Sequence, residues 1–189
     1  MDLGCGCGYL LQVLEKNGYK NLFGVEIDKK QMENAKKNLK FTKLYKIEIT
    51  KFLKKVKDKF DIIILYDVIE HIPKNNIINL LNLIYKRLNN NGILIIKTPN
   101  ADLPLTAGKM RYIDFGHEII FNKDSIETVL RIAKFKSFIF KPASSISVLK
   151  TILKNFFDLF LRFFLCFYLS PREAFSMILT PNFITIAKK

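Results

Sequence analysis

The first 100 residues alternate short apolar runs with longer, polar stretches of helical period. Three runs rich in Ile, Leu and Val stand out, at Phe23–Ile27, Phe60–Leu65 and Gly92–Ile96. Continuous runs, rather than an alternation of apolar and polar residues, are typical of strands buried on both faces of a parallel sheet. The pattern therefore predicts three buried strands with helices between them.

Helical periodicity predicts the connecting elements at Tyr9–Lys16, Lys29–Leu39 and Lys74–Leu88. Gly18 and the cluster Asn89–Gly92 are suitable places for helices to end. Strands that alternate with helices predict an α/β fold with a doubly wound, mostly parallel sheet.

The second half of the chain has a looser pattern. Four elements are predicted there: a long loop at Asn100–Phe121, a helix at Lys123–Ala133, and strands at Phe135–Phe140 and Asn182–Ala187. A Phe-rich helical insertion occupies about 148–180, before the last strand. The length of 189 residues fits a single domain over 1–189.

Composition supports a folded protein and leaves its partners open. Hydrophobic residues make up 49% and charged residues 25%, which excludes a disordered chain. A formal charge of +14 favours nucleic acid or an anionic membrane surface, but it also fits the lysine-rich usage of an AT-rich genome. Three cysteines are too few for a disulfide framework, and the N-terminus lacks a signal-peptide pattern. We therefore expect a cytoplasmic protein.

A glycine-rich segment, Asp2-Leu-Gly-Cys-Gly-Cys-Gly8, lies between a strand end and a helix. Glycines at alternate positions let the backbone turn sharply and approach a ligand, while the next helix offers free N–H groups. A dinucleotide fingerprint would need its third glycine where Tyr9 stands, so the spacing disfavours a dinucleotide.

An acidic segment, Gly24-Val-Glu-Ile-Asp28, follows about 20 residues later, at the end of the next strand. A carboxylate there can accept hydrogen bonds from both hydroxyls of a ribose. Asp28 directly precedes a predicted helix and is interpreted as its N-cap. Glu26 lies too early for that role and points to the ligand edge.

Four segments in this order resemble the class I S-adenosylmethionine-dependent methyltransferases over about Met1–Asn100. They are Asp2–Gly8, Gly24–Asp28, Phe60–His71 with its Val-Ile-Glu-His ending, and Asn91–Asn100 with its Thr-Pro-Asn ending. A weaker similarity through Asp114–Glu118 looks like methyltransferases encoded with bacterial cell-surface polysaccharide and lipid genes. The resemblance implies a seven-stranded Rossmann-like sheet with an antiparallel C-terminal strand. Its first strand begins before the acid in the family, so it looks truncated here.

The resemblance also implies a set of cofactor-binding residues for S-adenosyl-L-methionine. Asp2, Gly4, Gly6 and Gly8 form the loop at the methionine moiety, Glu26 binds the ribose, Ile27 stacks on adenine, Glu48 lies near the adenine amino group, and Tyr66 and Asp67 border the methionine moiety and the methyl group.

Methyl transfer to a small or lipid- or saccharide-linked hydroxyl acceptor is the expected activity. A hydroxyl acceptor needs a base, and His117, beside Asp114 and Glu118 in the long loop, is the candidate. Its alternative role is to cap the following helix. His71 is expected to be structural or close to the cofactor. The alternative function is a non-catalytic S-adenosylmethionine-binding protein that acts through partners.

Two kinds of site are not expected from the motifs. Adenine-directed enzymes carry an Asn/Asp-Pro-Pro-aromatic motif where this chain reads Tyr66–Ile69, which disfavours a nucleic-acid substrate. Cys5, Cys7, His71 and His117 lack zinc-ligand spacing, so no metal site is expected. The serines within 144–147 are interpreted as a turn.

The apolar stretch 148–169 carries a charge at every fourth position. Lys150, Lys154, Asp158 and Arg162 form one stripe, and a wide face is rich in phenylalanine. Four charges disfavour a transmembrane span. Two alternatives stay open: an interfacial helix at the inner face of the membrane, or a helix whose Phe face packs on the core or on a second subunit.

Overall fold

The computed structural model describes residues 1–103, 106–143 and 148–189, so the predicted turn at 144–147 lies outside the described residues. Seven strands form one sheet in the order β3-β2-β1-β4-β5-β7-β6. They are β1 Asp2–Leu3, β2 Phe23–Glu26, β3 Lys43–Lys46, β4 Phe60–Tyr66, β5 Leu88–Pro99, β6 Ser137–Ala143 and β7 Asn182–Lys188. Only β7 runs antiparallel to its neighbours, which confirms the predicted fold class.

Helices follow most of the strands. They are α1 Tyr9–Lys16, α2 Lys29–Asn38, α3 Ile49–Lys55, α4 Ile77–Arg87, α5 Ala107–Tyr112, α6 Lys123–Ile132, α7 Val148–Leu165 and α8 Pro171–Ser176. Helices α1, α2, α4 and α6 lie within a few residues of their predicted positions. The prediction of one long loop at Asn100–Phe121 is wrong in part, because helix α5 interrupts this stretch.

The core has two parts, one on each face of the sheet. The larger part packs the apolar side of α4, including Leu80, Leu81 and Ile84, against the central strands. The smaller part packs Leu11 of α1 and Ala35 of α2 on the other face. Burial on both faces is what makes the sheet doubly wound, and it explains the continuous apolar runs.

Strand β4 departs from the prediction of full burial. Ile62 and Tyr66 are 43% and 49% exposed. They line an open cavity of about 990 Å³ on one face of the sheet, beside α1 and next to the two-residue strand β1. The C-terminal end of β4 is therefore accessible at Tyr66.

The insertion between β6 and β7 contains helices α7 and α8, joined by polar and aromatic contacts. The Arg162 guanidinium donates hydrogen bonds to the carbonyls of Ala174 and Met177, at 2.6 and 2.9 Å. The rings of Phe163 and Phe175 meet edge to face at 5.7 Å. Among the described residues, no helix has the length and apolarity needed to cross a bilayer.

The Phe face of α7 is open to solvent. Five phenylalanines here are at least half exposed: Phe157, Phe160, Phe163 and Phe164 in α7, and Phe167 in the turn that follows it. The alternative that this face packs on the core of the same chain is therefore wrong for these side chains. The side chains of Lys150, Lys154 and Phe156 lie outside the described residues.

Candidate functional site

The glycine loop after β1 adopts a backbone that side chains rarely allow. Gly4, Gly6 and Gly8 have φ angles of 77°, 54° and 78°. A Cβ atom on Gly4 would lie 2.6 Å from Val68 Cγ2, and one on Gly8 would lie 2.6 Å from Leu39 Cδ1. The loop therefore keeps its shape only with glycine, and its last residue is the N-cap of α1.

Glu26 links this loop to the end of β2. Its Oε2 accepts a hydrogen bond from the Gly6 N–H at 2.9 Å. Its Oε1 accepts from the N–H groups of Ile27 and Asp28 at 2.7 and 2.8 Å. Asp28 caps α2 by accepting from the Gln31 N–H, which confirms its predicted role. Three backbone N–H groups thus fix the orientation of the Glu26 carboxylate beside the glycine loop.

Asp2 carries a buried carboxylate beside the loop. The residue is 2% exposed, and its Oδ1 has no hydrogen-bond partner among the described residues. Burial raises the pKa of Asp2 to about 6; the Met1 ammonium opposes this rise, and the Glu26 carboxylate adds to it. A buried carboxylate oxygen without a partner suits a ligand that carries a positive charge or a hydrogen-bond donor. This orphaned oxygen and the glycine loop agree with a bound S-adenosylmethionine.

The two residues expected around adenine differ in their surroundings. Ile27 is 63% exposed at the end of β2, as a side chain that stacks on a ligand should be. Glu48 is the N-cap of α3 and accepts from the N–H groups of Thr50 and Lys51. Its carboxylate therefore has a structural role, and contact with adenine stays a prediction.

A charged pair lies at the C-terminal ends of β4 and β5. Lys97 Nζ forms an ion pair with Asp67 and lies 4.5 Å from the centre of the Tyr66 ring. Asp67 has a φ of 53°, which bends the chain sharply after β4. Tyr66 and Asp67 were expected here, but Lys97 was not. The sequence signal that could have identified Lys97 is its position directly after the apolar run of β5.

Two histidines and an acid meet beyond the same strand ends. The rings of His71 and His117 lie 4.7 Å apart, and the ligand atoms of Glu70, His71 and His117 all lie within 4.8 Å of one another. Glu70 is fully buried, and its Oε2 accepts from the Thr98 hydroxyl at 3.2 Å. Burial raises the pKa of Glu70, and the Asp67 carboxylate adds to the rise.

His117 is buried, and backbone groups of its own loop hold it. Its Nδ1 lies 2.7 Å from the Met110 carbonyl at the end of α5, and Arg111 donates to the His117 carbonyl. The alternative role as cap of the next helix is wrong, because Asn122 caps α6 together with Ser125. The loop thus directs the other ring nitrogen, Nε2, away from the Met110 carbonyl.

Comparison with known proteins identifies the family. The model of a methyltransferase domain family matches residues 1–136. The chain belongs to this family. Its predicted membership of the class I methyltransferases is thereby confirmed, together with the fold.

Curated relatives match part of the methyltransferase domain. A ubiquinone biosynthesis O-methyltransferase of Pelagibacter ubique (strain HTCC1062) is 36% identical over 106 residues, which are 54% of this chain and 42% of that protein. An uncharacterized protein of Haemophilus influenzae is 32% identical over 106 residues, 50% of this chain and 39% of that protein. The matched region thus spans about two fifths of these relatives.

Solved structures share the fold along the whole methyltransferase chain. A SAM-dependent methyltransferase from Archaeoglobus fulgidus has a TM-score of 0.72 at 21% identity, covering 100% of this chain and 84% of its own. The magnesium protoporphyrin IX methyltransferase of Synechocystis PCC 6803 has a TM-score of 0.65 at 17% identity, covering 100% and 72%. At this level of identity the likeness establishes the architecture.

Proposed function

We propose that the protein transfers a methyl group from S-adenosyl-L-methionine to an oxygen of a small or lipid- or saccharide-linked acceptor. The observation that carries the proposal is the site formed by the glycine loop, Glu26 and Asp2, whose Oδ1 has no hydrogen-bond partner among the described residues. The similarity to an O-methyltransferase supports oxygen as the methylated atom. The link to cell-surface polysaccharide or lipid genes belongs to this proposal as the expected acceptor class.

The cofactor would lie across the C-terminal ends of β1, β2 and β4. Gly4, Gly6 and Gly8 offer close backbone approach to its methionine moiety. Glu26 accepts hydrogen bonds from the ribose hydroxyls, while Ile27 covers adenine. Tyr66 and Asp67 border the methyl group, and Lys97 holds the Asp67 carboxylate in place.

The chemistry of the step is a direct displacement, so the chain has two tasks: to position the acceptor and to take its proton. The cofactor, when bound, supplies a methyl group whose bond to sulfur breaks as a bond to oxygen forms. His117 takes the hydroxyl proton at Nε2. Since the Met110 carbonyl only accepts hydrogen bonds, Nδ1 of neutral His117 carries the proton and Nε2 keeps its lone pair.

An enzyme assay tests this function against the non-catalytic alternative. The full chain is incubated with S-adenosylmethionine labelled in the methyl group, and with lipid-linked or free hydroxylated acceptors. We expect label in an ether or ester product, and loss of transfer in His117→Ala with cofactor affinity retained. Cofactor binding without transfer to any acceptor would favour the non-catalytic protein, and label on nitrogen would contradict the proposed oxygen acceptor.

We also propose that the exposed Phe face of α7 contacts the inner face of the membrane, which places a cytoplasmic protein beside a lipid-linked acceptor. The supporting observations are the five exposed phenylalanines and the formal charge of +14. Arg162 of the charged stripe joins α7 to α8 through two backbone carbonyls. The attraction to anionic lipid would therefore come from other basic residues.

A further inference from the structure

We infer that Glu70, His71 and His117 form a binding site for a divalent transition-metal cation. Two imidazoles and one carboxylate are a ligand set that suits Zn²⁺ and its neighbours in the first transition row. The three residues come from two separate segments, the turn after β4 and the loop before α6. Their spacing in sequence therefore gave no sign of the site.

In both histidines the Nδ1 atom contacts a backbone carbonyl, which leaves Nε2 available to a metal. His71 Nδ1 lies 3.1 Å from the Gly116 carbonyl, and His117 Nδ1 lies 2.7 Å from the Met110 carbonyl. A carbonyl only accepts hydrogen bonds, so each Nδ1 of the neutral rings carries the proton and each Nε2 holds a free lone pair. An Nδ1–H bonded to a backbone carbonyl is also the usual outer contact of a metal-binding histidine.

The Glu70 carboxylate supplies independent evidence for a ligand. Its side chain is 0% exposed, and Oε1 has no hydrogen-bond partner among the described residues, while Thr98 holds Oε2. A fully buried carboxylate oxygen without a partner is costly unless something binds it. A cation between Glu70 and the two imidazoles would satisfy it.

The geometry is close to that of a bound ion. The ligand atoms lie within 4.8 Å of one another. Two ligands of a tetrahedral Zn²⁺, each about 2.1 Å from it, lie about 3.4 Å apart, so ion binding would draw the three side chains closer together. The exposed His71 side chain has room to move for this.

This inference goes beyond the proposed function and changes one part of it. In the cation-bound protein the Nε2 lone pair of His117 binds the ion, so His117 can take the acceptor proton only in the cation-free protein. The test needs neither cofactor nor acceptor, so its outcome is separate from that of the methyl-transfer assay.

Calorimetric titration of the chelator-treated full chain with ZnCl₂, together with thermal unfolding, tests the site. We expect one saturable ion per chain, a higher Tm with Zn²⁺, and a much weaker response to Mg²⁺, which prefers oxygen ligands. His71→Ala and Glu70→Gln should each weaken Zn²⁺ binding by roughly tenfold or more. His71 is exposed and Glu70→Gln conserves shape, so both variants should fold.

A matched control is Glu118→Gln, which removes one exposed carboxylate from the same loop and should leave Zn²⁺ affinity unchanged. Cys5 and Cys7 are the other soft ligands close together in sequence. No saturable Zn²⁺ binding by the wild-type chain would overturn the inference. So would equal affinity in the wild type, His71→Ala and Glu70→Gln, because the ion would then lie elsewhere, for example at the cysteines.

Discussion

At the scale of single residues, the Glu26 carboxylate carries most of the expected ribose recognition. Glu26→Ala should weaken S-adenosylmethionine binding by about 1.5–3 kcal/mol, because charge-assisted hydrogen bonds are lost and the Gly6 N–H loses its acceptor. Calorimetric titration measures the change.

Asp28→Ala is the matched control for Glu26→Ala. It removes the N-cap of α2 and should cost about 1 kcal/mol of folding stability while cofactor affinity stays near that of the wild type. The assignment of the two acids would be reversed if Asp28→Ala lost affinity and Glu26→Ala did not.

The Asp2 carboxylate is expected to help cofactor binding and to lower the folding stability of the protein. Its pKa of about 6 in the fold lies above the ordinary value of 3.8, so the ionised carboxylate opposes folding above pH 6. Asp2→Asn should therefore raise the free energy of unfolding at pH 8, by up to about 3 kcal/mol, and weaken cofactor binding. The gain should vanish below about pH 4, where the carboxyl is protonated in both states.

Thermal unfolding of Asp2→Asn and wild type at pH 8 and pH 4 measures this difference. A variant less stable than the wild type at pH 8 would show that the carboxylate is satisfied in the fold, against the interpretation of Asp2 as an unpaired ligand group.

Residues whose roles depend on nearby positions in the sequence could be predicted from it. The glycine loop, Glu26 and the Asp28 cap follow from short motifs. The structure places the loop between β1 and α1, Glu26 at the end of β2 and Asp28 at the N-terminus of α2. Lys97, Thr98 and the Gly116 carbonyl could not be predicted in this way. Their partners, Asp67, Glu70 and His71, lie 28 to 45 residues away in the chain.

At the scale of elements, Glu15 ties α1 to the segment before β3. Its carboxylate accepts hydrogen bonds from the N–H groups of Lys40, Phe41 and Thr42 and from the Thr42 hydroxyl. Burial acts to raise the pKa of Glu15, but these hydrogen bonds outweigh it and lower the pKa to about 2.

Glu15→Gln should therefore lower the free energy of unfolding by about 1 kcal/mol at pH 7. Because the folded pKa lies below the ordinary value of 4.5, the wild-type advantage is complete above about pH 5 and is lost as the pH falls towards 2. Urea unfolding of both proteins at pH 7 and pH 3 measures the two differences. An advantage that stayed constant over this range would contradict the role of the charged carboxylate.

The buried elements could be predicted from the sequence, and the exposed ones could not. Strands β4 and β5 carry continuous apolar runs, so their period was visible. Strand β3 lies at the sheet edge with three of its four residues exposed, and it offers no apolar run. Helix α5 has six residues and no buried side chain, so its stretch was predicted as a loop.

At the scale of the whole molecule, the proposed membrane contact rests on the exposed Phe face of α7. If this face inserts into a bilayer, Phe160→Ser with Phe164→Ser should release the protein from anionic vesicles without changing its affinity for S-adenosylmethionine. Raised salt should weaken the binding of the wild type, since it screens the basic residues.

Co-sedimentation with anionic and neutral vesicles at two salt concentrations measures this binding. A matched control replaces two exposed aromatics outside the insertion, Tyr19 and Phe41, with serine, and should pellet like the wild type. No pelleting of the wild type with either lipid would contradict the membrane contact. A wild-type dimer that the α7 double variant dissociates would assign the face to a second subunit.

The most direct test of cofactor binding is calorimetric titration of the full chain with S-adenosylmethionine, in parallel with Gly6→Val. The glycine loop, shaped by positive φ angles and joined to Glu26, is expected to bind this cofactor. We expect saturable one-to-one binding by the wild type and none by a folded Gly6→Val protein, since a branched side chain is strained at the Gly6 φ of 54° and its Cβ would lie 2.8 Å from Gln31 Oε1, which changes the shape of the loop. Equal affinity in both proteins, or no binding by the wild type, would contradict this expectation.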